Sequence, residues 1–136
     1  MKKIVSILLA IALLTSLCVL PLQANNIITP RWTNTSKTVV SLNCTNGMAY
    51  CNVSISGYTN AIVTNVDISF DKVIGDNLIN IASWNDLSSG KYFSFSDSVP
   101  IVELDCFYRL TFTADVVLDG VVETVTNYKE RFYTSN

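Results

Sequence analysis

The sequence predicts an all-β fold: about seven antiparallel strands in two sheets packed face to face, preceded by an N-terminal signal helix. The clearest support is the stretch from Cys106 to Tyr133, where two long alternating segments meet at Asp119-Gly120. In its first arm Tyr108, Leu110, Phe112, Ala114 and Val116 fall on one face, and Arg109, Thr111, Thr113 and Asp115 on the other. A period of two marks a strand with one buried face and one wet face. The chain beyond the leader is also rich in Val, Ile, Thr, Phe and Tyr and short of good helix formers, a composition that suits pleated surfaces. Turn residues punctuate it at regular intervals, and no helical period, internal repeat or low-complexity tract interrupts them.

Residues 1–24 read as a secretory signal peptide. Lys2 and Lys3 form a basic start, Ile4 to Leu20 an apolar run, and Pro21-Leu22-Gln23-Ala24 a cleavage site after Ala24, as export signals require. Leu22 is larger than such sites prefer, and a retained membrane helix is the alternative. Cys18 is no lipoprotein cysteine by its context, since Thr15 and Leu17 stand where a leucine and a small residue are wanted. The mature chain then has a polar lead-in, residues 25–36, in which Pro30 blocks regular structure and Trp32 is the one large apolar anchor. The sandwich domain is expected over 37–136.

The strands follow in order. Lys37 to Cys44 places Val40, Leu42 and Cys44 on one face, and Asn46-Gly47 is a strong hairpin signal. Met48 to Tyr58 puts Ala49, Cys51, Val53 and Ile55 inward and Tyr50, Asn52, Ser54 and Ser56 outward. Ile62 to Val73 buries Val66, Ile68 and Phe70 and exposes Asp67, Ser69 and Asp71. Gly75-Asp76-Asn77 turns the chain into Leu78 to Trp84, and a loop leads to a short strand, Tyr92 to Ser96. Pro100 then interrupts the chain before Ile101 to Asp105.

The final hairpin allows two registers. A two-residue Asp119-Gly120 turn sets Arg109 opposite Glu130, Thr113 opposite Thr126 and Phe107 opposite Phe132. A three-residue loop sets Asp115 opposite Glu123 and Arg109 opposite Lys129. Favourable cross-strand pairs contribute about 0.2–1 kcal/mol each and like charges cost as much, so the two-residue turn is expected.

Short alternating strands in this number fit an immunoglobulin-like sandwich, with a small closed barrel as runner-up. The sandwich would bring Cys44, Cys51 and Cys106 near one another on inward positions. A disulfide from Cys106 to Cys44 or Cys51 would staple the two sheets. Closing a loop of fifty or sixty residues contributes roughly 3–4 kcal/mol in the chain-entropy model. Cys44 with Cys51 is a local alternative, and three reduced, buried cysteines a further one.

Function is bounded mostly by exclusion. The chain has no histidine, so no Ser-His-Asp or Cys-His pair and no imidazole metal site can form; no cofactor or metal is expected. Setting aside Lys2 and Lys3 leaves 7 basic residues against 11 acidic, a net charge of −4, which argues against nucleic acid or an anionic membrane surface as partner. Asp67 with Asp71, and Glu103 with Asp105, are expected to be solvated strand charges. Trp32, Trp84 and Tyr92, with Tyr58, are the candidates for a ligand-facing aromatic platform, although Trp84 also suits a core position.

The string Pro30-Arg31-Trp32-Thr33-Asn34, the Asn46-Gly47-x-Ala49-x-Cys51 turn, and Tyr108-Arg109-Leu110-Thr111 leading to Asp119-Gly120-x-x-Glu123-Thr124 resemble a family. It comprises small secreted immunoglobulin-like proteins of unassigned function from low-GC Gram-positive, often gut-dwelling, bacteria. The resemblance spans most of the mature chain and implies the fold and export, but no active site. Cys106 departs from it, standing where a glycine or other turn residue is expected. The expectation is therefore a secreted, non-enzymatic protein that binds an unknown protein or glycan outside the cell. A small carbohydrate-binding module, or an acidic inhibitor or immunity-type protein, is the alternative.

Overall fold

Alternation of apolar and polar side chains sorts the chain into strands, and the strands that alternate most clearly bury the face that the alternation marks. The computed structural model describes residues 31–134, apart from 88 and 89. The expected signal peptide and the lead-in up to residue 30 lie outside the described residues. Seven strands follow: β1 (Thr35–Thr45), β2 (Met48–Gly57), β3 (Ile62–Ile74), β4 (Asn77–Leu87), β5 (Tyr92–Pro100), β6 (Cys106–Leu118) and β7 (Val121–Tyr133). All pairings are antiparallel, in a three-stranded sheet β1-β2-β5 and a four-stranded sheet β4-β3-β6-β7. The sheets remain separate, so the closed barrel is not formed.

Between them lies one core. Ala49, Cys51, Val53 and Ile55 of β2 face Ile68 and Phe70 of β3 and Tyr108, Leu110, Phe112, Ala114 and Val116 of β6. Phe70 and Tyr108 stack with ring centroids 5.4 Å apart. Fully burying one such side chain is worth about 1.5–3 kcal/mol, so these inward rows dominate the stability. The sheets also meet at both flanks. Asn127 of β7 donates to Thr38 Oγ1 of β1 at 3.1 Å. At the other flank the ring of Trp84 on β4 meets Phe95 of β5, centroids 4.9 Å apart.

Turn chemistry sets the registers. Asn46 and Gly47 both have positive φ (50° and 74°), as do Asp119 and Gly120 (50° and 78°), the combination of a tight two-residue hairpin. Arg109 pairs with Glu130, Thr113 with Thr126 and Phe107 with Phe132, which is the register expected for the two-residue turn. Positive φ at Gly75 (58°), followed by Ile74 opposite Asn77, closes the β3–β4 hairpin in the same length.

Five expectations change. β4 runs to Leu87 rather than ending at Trp84. β1 begins at Thr35, inside the stretch expected to be lead-in, and Asn34 and Thr35 are buried. β5 runs to Pro100 rather than Ser96; it is an edge strand, where a proline without a donor is tolerated at a strand end. Ile101 to Asp105 is an irregular connection, so Glu103 and Asp105 are not strand charges. Asp71 points outward as expected but is only 5% exposed. Its carboxylate accepts hydrogen bonds from Ser69 Oγ (2.8 Å) and Asn80 Nδ2 (2.9 Å), which replace the lost water.

The outer face of the three-stranded sheet forms a grid. Its rows are Asn43–Tyr50–Ser98, Ser41–Asn52–Ser96, Val39–Ser54–Ser94 and Lys37–Ser56–Tyr92. Hydroxyl and amide groups dominate it, Lys37 is its one charged side chain, and it carries no carboxylate.

Candidate functional site: a cleft at one pole

Three segments converge at the pole where β6 begins. They are the Asn46-Gly47 turn, the 101–105 connection and the end of β7. Each is pinned. Gly47 N donates to Tyr133 Oη (2.8 Å) and Ile101 N to Gly47 O (2.9 Å). Asp105 N donates to Tyr133 O (2.7 Å), and Tyr108 Oη to Glu103 O (2.9 Å). Asp105 takes a positive φ of 56° and so supplies the turn residue that Cys106 does not. Lys72 forms an ion pair with Glu103.

Between these walls opens a cleft of about 390 Å³ lined by Cys44, Asn46, Leu104, Arg131, Phe132 and Tyr133, with Thr45 and Thr134. That volume lies within the range of small-ligand sites. Arg131 is exposed at its rim, and among the described residues no carboxylate is paired with it. A free guanidinium beside apolar Leu104 can take a carboxylate in fork geometry while the rest of the ligand covers the apolar wall.

Cys44 lines the cleft, Cys106 begins β6 at the same pole, and Cys44, Cys51 and Cys106 are all free thiols. The expected staple from Cys106 to Cys44 or Cys51 is therefore not made. Cys51 lies within β2, fully buried, whereas Cys106 is the first residue of β6 and turns its Sγ to Glu103 O at 3.6 Å. The β6 positions deeper in the core are held by Tyr108 and Leu110. Burial pushes the Cys51 thiol up to about 12, with Cys44 and Asp97 adding to the effect. Burial also raises Cys44, and the nearby charge of Arg131 offsets part of that rise. Thiols held protonated in this way are poor nucleophiles.

The expected aromatics differ in exposure. Trp32 and Trp84 are half-buried and pack on the core, and the indole Nε1 of Trp84 donates to Asp97 Oδ2 at 3.0 Å. Tyr92 is 59% exposed and Tyr58 52%, the former on the outer grid of the three-stranded sheet. On the outer face of the four-stranded sheet, Phe107 and Phe132 lie 5.0 Å apart and Arg109 stacks 4.7 Å over Tyr128 while bonding Glu130 through Nε (2.8 Å). Sequence reasoning paired Phe107 with Phe132 and Arg109 with Glu130 without marking them as a surface, because alternation predicts which side is wet and not which wet positions are aromatic in rows.

One further polar cluster imitates an active site. The Glu123 carboxylate accepts hydrogen bonds from Thr33 and Thr35, backbone and hydroxyl in each case, and from Asn34 N at 3.0 Å. Asn34 Nδ2 in turn donates to Val116 O (3.0 Å) and Val121 O (2.9 Å). Burial works to raise the Glu123 carboxyl, but these donors hold it below its ordinary value. A carboxylate offers about four lone-pair positions, and here they are occupied, so Glu123 is a clasp and not a proton carrier.

Among the described residues no group of Cys, Asp and Glu is placed to hold a metal ion. No protein-family model matches the chain, and no curated protein matches it.

Proposed function

We propose that this protein is an exported, non-enzymatic sandwich that acts by binding at or outside the cell envelope, with the polar cleft as its ligand seat. The observation that carries this reading is the cleft itself, walled by hydrogen-bonded segments and presenting the exposed Arg131 guanidinium. A preformed concavity limits the ordering that binding must bring about. The non-enzymatic part rests on the absence of histidine from the chain and on thiols that burial holds protonated.

The finer fold assignment belongs to the same proposal. The strand order β1-β2-β5 against β4-β3-β6-β7 agrees with an immunoglobulin-like arrangement. So does the Tyr108 hydroxyl bonded to a backbone carbonyl upstream at the start of the sixth strand, a feature of that fold. Kinship with the small secreted immunoglobulin-like proteins of low-GC Gram-positive bacteria gains support from the same features and from the Glu123 clasp.

Two measurements test the reading. In protein recovered from its native host, the intact mass should begin at Asn25; a mass that retains Met1 would remove export by cleavage. Acidic peptides titrated against the isotopically labelled mature protein should shift the amides of Gly47, Arg131 and Tyr133, and Arg131→Ala should weaken that binding about tenfold or more. A cleft silent to the whole acidic panel, or equal affinity in the Arg131 variant, would sink the assignment of this seat.

A further inference from the structure

We propose a second ligand site, for a neutral saccharide, on the outer face of the three-stranded sheet around Tyr92. A hollow of about 160 Å³ opens there, lined by Asn52, Ser54, Tyr92, Ser94 and Ser96 with Val39. None of its lining side chains is charged. The mature chain carries a net charge of −4, yet the whole grid around the hollow holds no carboxylate. Lys37, in the row of Tyr92, is the one charged side chain of the grid and lies outside the hollow; within the hollow a neutral polyol settles without desolvating an ion, and an ionic ligand finds no partner there.

The polar groups are also arranged for hydroxyls. Ser96 Oγ donates to Asn52 Oδ1 at 2.7 Å, which fixes both side chains and leaves the Asn52 amide donors and the serine lone pairs for a ligand. Ser54 and Ser94 are cross-strand partners in the next row. Tyr92 closes the hollow with a ring more than half exposed, an apolar body with a polar tip that suits the C–H face of a sugar ring. Tyr50, 43% exposed, stands at the other end of the same face. At the usual strand rise the two tyrosines are ~20 Å apart, so the face accommodates an oligosaccharide rather than a single sugar.

This site is independent of the polar cleft, since Tyr92 pairs with Ser56 at the end of β2 remote from Gly47. The test uses the labelled mature protein and hexasaccharides of glucan, xylan and mannan, with polygalacturonate as the charged control. At least one neutral hexasaccharide is expected to shift the amides of Asn52, Ser54, Tyr92 and Ser94. Tyr92→Ala should lose tenfold or more in affinity, Tyr92→Phe should keep most of it, and Ser94→Lys should abolish it by filling the hollow. Arg131→Ala should leave it unchanged, which separates this site's failure from that of the cleft. Silence of these amides toward all neutral hexasaccharides at millimolar concentration, preference for polygalacturonate, or unchanged affinity in Tyr92→Ala and Ser94→Lys would each overturn the proposal.

Discussion

Gly57 shows how one missing Cβ determines a close approach. A Cβ there would sit 2.5 Å from Ala61 Cβ and 3.2 Å from Val116 Cγ1. Both neighbours are fully buried, so neither has room to yield. Gly57→Ala is expected to lose about 1–3 kcal/mol, as overpacked cores do, read as a lowered urea midpoint at unchanged slope. Adding Ala61→Gly should restore part of the loss; additive effects would show that the two positions do not collide. Side-chain alternation registers what a residue contributes, and a glycine that serves by contributing nothing leaves no mark in it. The inward rows, by contrast, were readable residue by residue, because burial of Ala49, Cys51, Val53 and Ile55 follows from the period of two alone.

Among the elements, the final hairpin was fully legible and β5 was not. Asp119-Gly120 and the paired charges of Arg109 and Glu130 specify one register, and the structure has it. β5 reads Tyr-Phe-Ser-Phe-Ser-Asp-Ser-Val-Pro, and its serines resemble a loop until β2 supplies the hydrogen-bonding partner. The clasp between the lead-in and β7 was invisible for a related reason: its donors are ordinary Thr and Asn, and their role appears only when Glu123 arrives beside them. Glu123→Gln removes the charge from these hydrogen bonds and should destabilise the protein by about 1–3 kcal/mol. The pH dependence has a definite sign. Glu123 titrates below its ordinary value in the folded state, and so does Asp115, held down by Asn65 and Thr124. Their contribution is therefore complete above the unfolded carboxylate range of about 4 and is lost as pH falls through the lower folded values. Thermal melting should be level from pH 7 to about 5 and decline below pH 4, and Glu123→Gln should flatten part of that decline. An identical acid profile in the variant would count against the clasp.

For the molecule as a whole, the thiols report on how the two sheets part. Cys51 is fully buried in the shared core, while Cys44 and Cys106 are half-buried at the pole. Alkylation of the native protein should reach Cys44 and Cys106 before Cys51. Cys51 should react only as fast as global unfolding exposes it, since subglobal opening costs less than opening the core. In denaturant without reductant all three should label, and a single labelled cysteine would instead reveal a disulfide. The two-sheet plan was legible from strand number and turn spacing. The polar cleft was not, because it is made by turns and strand ends that approach one another only after the sheets have packed.

The Glu123 clasp also bears on the order in which the chain can finish folding. Asn34 and Glu123 are separated by 89 positions, nearly the full span of the strands. A chain emerging from its N-terminus can pair β1 with β2 and β3 with β4 early, since those hairpins are local. The amides of Thr33, Asn34 and Thr35 must wait for the last strand, and contacts of such long separation slow folding and extend the time that unpaired edges stand open. Completion is thus reserved for the C-terminal hairpin, whose arrival both closes the four-stranded sheet and fastens the beginning of the chain.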